Sequence, residues 1–271
     1  MFNRRALGFV AFAVLALALP ATALALTLRH SARARTVKTK RIPTSSTSTG
    51  VSKIGALYAN ATTTEHACTA SVVHSRAGNT LITAAHCVSG SGAGMVFVPG
   101  QHGSTAPHGR WTVTAVHVEP KWVTRQDPHA DVAFLTVAPQ TIDGKRTEIE
   151  QVTGAYTLGS TPGKGVKITV TGYPAGTTNN PITCTTTTYL TDAYPSFDCR
   201  GYVDGTSGSP WLRVTKHGTQ IVGVIGGLNQ GGCVDYTSYS SPLAKDADDA
   251  YARADDDAPA DVAPQPGGDG C

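Results

Sequence analysis

The chain has 271 residues, a formal net charge of +3, 40% hydrophobic residues and only 15% charged ones, against roughly 25% charged in an ordinary soluble domain. It is rich in Gly (29), Pro (16) and Thr (37), which excludes a coiled coil or helical bundle and favours short strands between tight turns. So small a net charge gives no footprint for a nucleic-acid partner.

The chain opens Met1-Phe2-Asn3-Arg4-Arg5 and continues as an unbroken apolar run from 6 to 19, closed by Pro20 and followed by Ala23-Leu24-Ala25. A basic start, a short apolar run and small residues are the parts of a secretory signal peptide, here 1–25. The run is shorter than the roughly 20 residues a spanning helix needs, so an uncleaved anchor is the lesser reading. Residues 26–50 are basic and then Ser/Thr-rich, the composition of a pro-segment or linker.

The folded body is expected at 51–245. Short β-prone runs recur at 51–58, 69–74, 80–83, 95–99, 111–118, 131–137, 166–173, 182–192, 209–214, 220–225 and 237–241. Regular short strands with turn signals between them predict an all-β sandwich or barrel. Asp143-Gly144-Lys145-Arg146 reads as a polar linker, which would divide the body into two barrels of about 51–145 and 146–245. The last stretch, 246–271, holds eight Asp among Ala, Pro and Gly. It is expected to be an acidic disordered tail apart from a helix near 241–253.

Six cysteines stand at 68, 87, 184, 199, 233 and 271. An exported chain keeps disulfides. Six cysteines allow 15 pairings; the short-range choice is Cys68–Cys87 and Cys184–Cys199, and Cys233 and Cys271 either pair or stay free. No C-x-x-C occurs and the histidines show no metal-ligand spacing, so neither a metal nor a cofactor is expected.

Three segments carry chemistry: Leu81-Ile82-Thr83-Ala84-Ala85-His86-Cys87, His129-Ala130-Asp131-Val132-Ala133-Phe134-Leu135 and Asp204-Gly205-Thr206-Ser207-Gly208-Ser209-Pro210. Singly, His86 reads as a satisfied core histidine, Asp131 as a strand cap and Ser207 as a turn residue. Together they offer a serine that needs a base, an imidazole able to act as one near neutral pH, and a carboxylate to fix its tautomer. Glycines beside the serine leave backbone N–H groups free to face an oxyanion.

These residues resemble the chymotrypsin-like serine endopeptidases. The family's Thr-Ala-Ala-His-Cys stands intact at 83–87. Its Asp-(Ile/Val)-Ala-Leu-Leu is matched by Asp131-Val132-Ala133-Phe134-Leu135, and its Gly-Asp-Ser-Gly-Gly-Pro by Gly205-Thr206-Ser207-Gly208-Ser209-Pro210, a variant similar to secreted bacterial members. The resemblance implies two six-stranded antiparallel Greek-key barrels with a cleft between them. It implies His86 as general base and acid, Asp131 as its orienter and Ser207 as nucleophile, with the N–H groups of Gly205 and Ser207 as oxyanion hole. It also implies a bridge between Cys68 and Cys87 beside the histidine, and resembles a second between Cys184 and Cys199 near the pocket.

Departures from the family pattern carry expectations of their own. Thr206 replaces the Asp that pairs with a freshly cut N-terminus in the trypsin branch, so activity should not need that amine. Gly226 replaces the Ser that supports the triad Asp, so one hydrogen bond to Asp131 should be lost or supplied by water. A substrate pocket of Gly201, Tyr202, Ile225, Gly226 and Gly227 would be neutral and partly apolar, suited to medium apolar side chains, with Asp204 at its rim opposing acidic ones. The expected protein is a secreted, extracellular, monomeric serine endopeptidase with a polypeptide substrate and no stable membrane association once the signal is removed. The alternatives are a catalytically weak or inactive protease homologue that only binds, and a non-catalytic β-module for sugar or cell wall.

Overall fold

The computed structural model describes residues 41–176 and 178–271. The expected signal peptide, and the linker as far as residue 40, lie outside the described residues. The protein is all-β with a short C-terminal helix.

The first half is a closed antiparallel barrel. Its strands are β2 (Ile54–Tyr58), β3 (Cys68–Val72), β4 (Thr80–Thr83), β5 (Val96–Pro99), β6 (Trp111–Val118) and β7 (Ala133–Val137), hydrogen-bonded in the order β2-β3-β4-β7-β6-β5. Side chains alternate across a strand, yet β2, β3, β4, β5 and β7 are buried at every position. The reason is that both faces are covered. Leu57, Leu81 and Leu135 fill the barrel with Phe97 and Trp111. Ile54, Ala56, Ile82 and Phe134 point outward onto Tyr173, Ile221 and Val224 of the second half. Strands covered on both faces need not alternate apolar with exposed polar residues, and polar ones such as Thr69, Ser71, Thr80 and Thr83 are buried with the rest.

The second half combines a six-stranded sheet with a three-stranded one. The larger sheet has the order β1-β12-β11-β15-β16-β10: β1 (Ser46–Thr47), β10 (Thr157–Leu158), β11 (Lys167–Gly172), β12 (Ile182–Thr187), β15 (Pro210–Thr215) and β16 (Gly218–Val224). The smaller pairs β13 (Tyr189–Thr191), β14 (Tyr194–Asp198) and β17 (Thr237–Tyr239). A core of Ile168, Val170, Phe197, Tyr202, Trp211 and Val222 lies between them, and a Cys184–Cys199 disulfide ties β12 to the end of β14.

Three expectations change. Residues 44–47 are not linker: Thr44 bridges Arg200 and β1 pairs with β12. Asp143-Gly144-Lys145-Arg146 is not a linker between barrels either. It turns a hairpin between β8 (Gln140–Ile142) and β9 (Lys145–Thr147), with Asp143 at φ 49° and Gly144 at φ 74°. Two successive positive φ angles are what Asp-Gly supplies to a two-residue hairpin turn.

The third change is the tail, which is ordered. Helix α3 (Lys245–Asp255) sets Ala247, Ala250 and Ala254, one face at helical spacing, against Phe134 and its neighbours. Its acidic residues have partners: Arg76 binds Asp255 and Asp256, and Asp261 accepts from Arg253 (2.7 Å) and the Val118 N–H (2.9 Å). Gly90 and Ala263 exchange both backbone hydrogen bonds at 2.8 Å. Part of the charge density that suggested disorder is met by Arg76 and a backbone donor of the body and by Arg253 of the tail's own helix.

His117, on β6, is fully buried, and neither ring nitrogen has a hydrogen-bond partner among the described residues. Burial lowers its pKa; Asp261 opposes this, Arg253 adds to it and Asp257 opposes it, each more weakly. The fold thus holds this ring neutral. As pH falls below the ordinary His value of about 6.5, the unfolded chain takes up the proton first and stability declines. The thermal midpoint should therefore drop between about pH 7.5 and about pH 5, and His117→Phe should remove part of that drop; equal drops in the two proteins, by calorimetry, would refute the assignment.

Candidate active site

Two ladders bring the three segments together. β4 and β7 are antiparallel with Thr83 opposite Ala133, so the chain leaving β4 and the chain entering β7 emerge at the same place. A 3-10 turn at Ala85–Cys87 carries His86 there, and a second at Pro128–Ala130 delivers Asp131. In the second half, β15 and β16 pair with Pro210 opposite Val224. That register sets Ser207–Ser209 beside Ile225–Gly227, and Gly208 N–H donates to the Ile225 carbonyl at 2.7 Å.

The two halves meet at Asp131, whose side chain is fully buried. Its Oδ1 accepts from the His86 backbone N–H at 2.8 Å. Its Oδ2 accepts from His86 Nδ1 at 2.7 Å and from the Gly227 N–H at 2.7 Å. The expected loss of a hydrogen bond at Gly226 is thus made good by the next residue's backbone, with no water needed. Gly227 has φ 79°, and a Cβ there would lie 2.8 Å from the Ser241 nitrogen, so only glycine aims this donor without strain. Because a carboxylate only accepts, His86 Nδ1 carries the proton, so in the neutral imidazole the lone pair is on the other ring nitrogen.

Ser207 is half-buried at the edge of a cavity. Within its turn, Thr206, Gly208 and Ser209 N–H groups all have backbone acceptors, whereas those of Gly205 and Ser207 have none among the described residues. Two unspent donors flank the serine. Thr206 is buried and its hydroxyl donates to the Val203 carbonyl at 2.6 Å, closing the turn locally where a family Asp would reach outward.

Thr69, on β3, fastens this turn to the first barrel, and sequence reasoning missed it. Its N–H donates to the Ser207 carbonyl (2.8 Å), its hydroxyl donates to the Gly205 carbonyl (3.0 Å) and accepts from the Tyr173 N–H (2.9 Å), and its carbonyl accepts from the Thr83 hydroxyl (2.8 Å). Its neighbour Cys68 is bridged to Cys87, the residue after His86. A Thr inside a β-run carries no local sign of this role; only the sheet pairing shows it.

The cavity beside Ser207 has a volume of about 480 Å³. Of the expected pocket residues, Tyr202 and Ile225 line it, while Gly201, Gly226 and Gly227 do not. Gly226 packs on Asp131, and Gly201 lies against Ser45 of the N-terminal segment. Tyr202 donates to the Val170 carbonyl at 2.7 Å, and burial raises its pKa far above the ordinary phenol value. Asp204, Asp235 and Asp269 also line the cavity, as does the Cys233–Cys271 disulfide, which settles the third pairing. Among the described residues, no helix is long and apolar enough to cross a membrane.

This fold is shared with solved serine proteases. The protease Anisep from Arthrobacter nicotinovorans matches with TM-score 0.66 and 23% identity over 78% of this chain and 99% of its own. The thermostable serine protease AL20 from an extremophilic microorganism matches with TM-score 0.62 and 21% identity over 76% and 97%. A Glu endopeptidase solved with MPD matches with TM-score 0.57 and 21% identity over 80% and 98%. A search of curated proteins finds no match. The model of the family described as Trypsin matches residues 43–239, and the chain belongs to that family. It is a serine-type endopeptidase, a hydrolase whose substrate is a polypeptide.

Thr69→Val removes a hydroxyl that both donates and accepts, leaving two buried backbone groups unpaired at a cost of about 1–3 kcal/mol. We expect a lower thermal midpoint together with slower labelling of Ser207 by a fluorophosphonate; unchanged values of both would remove Thr69 from the site's support.

Proposed function

We propose that this protein is a secreted endopeptidase that works through an acyl-enzyme on Ser207, with His86 as general base and acid and Asp131 as its orienter. The observation that carries the reading is the buried Asp131–His86 pair, which fixes the proton on Nδ1. The lone pair of Nε2 then takes the Ser207 hydroxyl proton as Oγ forms a bond to the substrate carbonyl carbon. The carbonyl π electrons move onto oxygen, and the Gly205 and Ser207 N–H groups receive that charge. The imidazolium, stabilised by Asp131, returns its proton to the leaving amine as the C–N bond breaks. Water, deprotonated by the same nitrogen, then releases the acyl group and restores Ser207.

Three disulfides among the described residues favour an oxidising compartment, in keeping with the signal-like start at 1–25. The protein acts as a monomer without lasting membrane contact. Because Thr206 satisfies itself on Val203, no freed amine is called on to shape the turn. A binding-only homologue would have no use for a buried carboxylate spent on one imidazole tautomer beside two vacant N–H groups.

A fluorophosphonate should label the wild-type protein on Ser207 and fail on Ser207→Ala, and Asp131→Asn should lower kcat on a cleaved peptide on the order of 10⁴-fold. Absence of labelling in well-folded wild-type protein, checked by intact mass, would sink the mechanism. A variant with extra residues placed ahead of residue 41 should label as fast as one trimmed there; dependence on the trim would restore a role for a new N-terminus.

A further inference from the structure

The cavity beside Ser207 is closed on one side by the far end of the chain. Asp269 and Cys271 line it together with Asp204, Tyr202 and Ile225. Residues 265–271 form no strand with the body and are exposed. Side chains hold them instead. Gln126 donates to the Gln265 carbonyl (2.9 Å) and accepts from the Gly267 N–H (2.7 Å). Gln230 donates to the Gly267 carbonyl (2.8 Å) and Asn229 to the Asp269 carbonyl (3.0 Å). Exposed hydrogen bonds of this kind open readily. The covalent member of the set is Cys233–Cys271, which joins residues 38 apart in sequence and pins the segment to the loop at 231–235, which lines the same cavity.

The charge that this segment brings is one-sided. Asp204, Asp235 and Asp269 line the cavity, and among the described residues no Lys, Arg or His does. Arg200 approaches Asp235 at 3.9 Å, but its guanidinium lies over the Tyr236 ring and both partners are half exposed, so the pair is loose. Among the described residues, no ion pair is formed by Asp204 or Asp269. One oxygen of Asp269 accepts from the Cys271 N–H (2.9 Å), which orients the carboxylate. Gly201 does not line the cavity, so this negative charge is built from a rim residue, a loop and the tail.

Resting on the reading of Ser207 as nucleophile, we propose that residues 267–271, clamped by Cys233–Cys271, are a specificity element of the cleft, and that Asp269 is a specificity-determining residue favouring a cationic substrate side chain beside the scissile bond. The apolar preference expected from Tyr202 and Ile225 then describes the cavity's inner wall alone. A lysine suits both surfaces, since its methylene stem lies on apolar groups while its ammonium reaches the rim.

The test compares kcat/KM on peptides that differ only in carrying lysine, norleucine or glutamate before the cut. Wild-type protein should prefer lysine to norleucine, and Asp269→Asn should reduce that preference about fivefold. Fluorophosphonate labelling is read in parallel to report that each variant keeps a reactive Ser207. Asp192→Asn, an exposed carboxylate outside the cavity lining, should leave the preference intact. The pair Cys233→Ser with Cys271→Ser should reproduce the Asp269→Asn result in folded protein. An unchanged lysine-to-norleucine ratio in Asp269→Asn, an equal change in Asp192→Asn, or full discrimination in the cysteine pair would each overturn the proposal while labelling continues. A wild-type protein that fails to label would overturn it together with the mechanism it rests on.

Discussion

The architecture of this protein turns on a carboxylate with no access to water. An isolated charge at the position of Asp131 would be strongly disfavoured, and three N–H groups, two from His86 and one from Gly227, make it tolerable. Those donors come from both halves. The β4–β7 register delivers the first two and the β15–β16 register the third, so the site is complete only when the halves are docked. The same docking buries Ile54, Ala56, Ile82 and Phe134 against Tyr173, Ile221 and Val224. Apolar contact brings the halves together, and the buried charge restricts how they fit.

The serine turn shows the same division of labour. Thr69 reaches across from the first barrel to hold the carbonyls of Gly205 and Ser207, while the N–H groups of those residues have no acceptor among the described residues. Gly208 has φ 82°, and a Cβ there would lie 2.1 Å from the Thr69 carbonyl oxygen, so the turn closes this tightly only with glycine. Trypsin-family membership and the local geometry thus agree, although they are independent: one rests on residue patterns along 43–239, the other on which backbone groups find partners.

The sequence made the fold class legible because strand-forming runs and turn residues are local signals, and it singled out His86, Asp131 and Ser207 as candidates because they stand in unusual company. What it hid was set by contacts distant along the chain. Thr69 resembles any other strand threonine until β3 is placed beside the serine turn. Gly227 becomes a donor only once β16 is aligned with Asp131. The tail resembled a disordered acidic segment because composition records its charges and not Arg76 or the Val118 N–H that meet some of them. Asp143-Gly144 is a different case, since the hairpin signal was present in those two residues and was outweighed by the charge around it.

The two halves also differ in how they end. The first barrel closes on itself and so presents no unpaired strand rim to a neighbour. The larger sheet of the second half stops at β1 and β10, each only two residues long. Strands so brief offer too few free amide and carbonyl groups to template another chain. At those two ends the sheet therefore offers little backbone for a second copy to pair with.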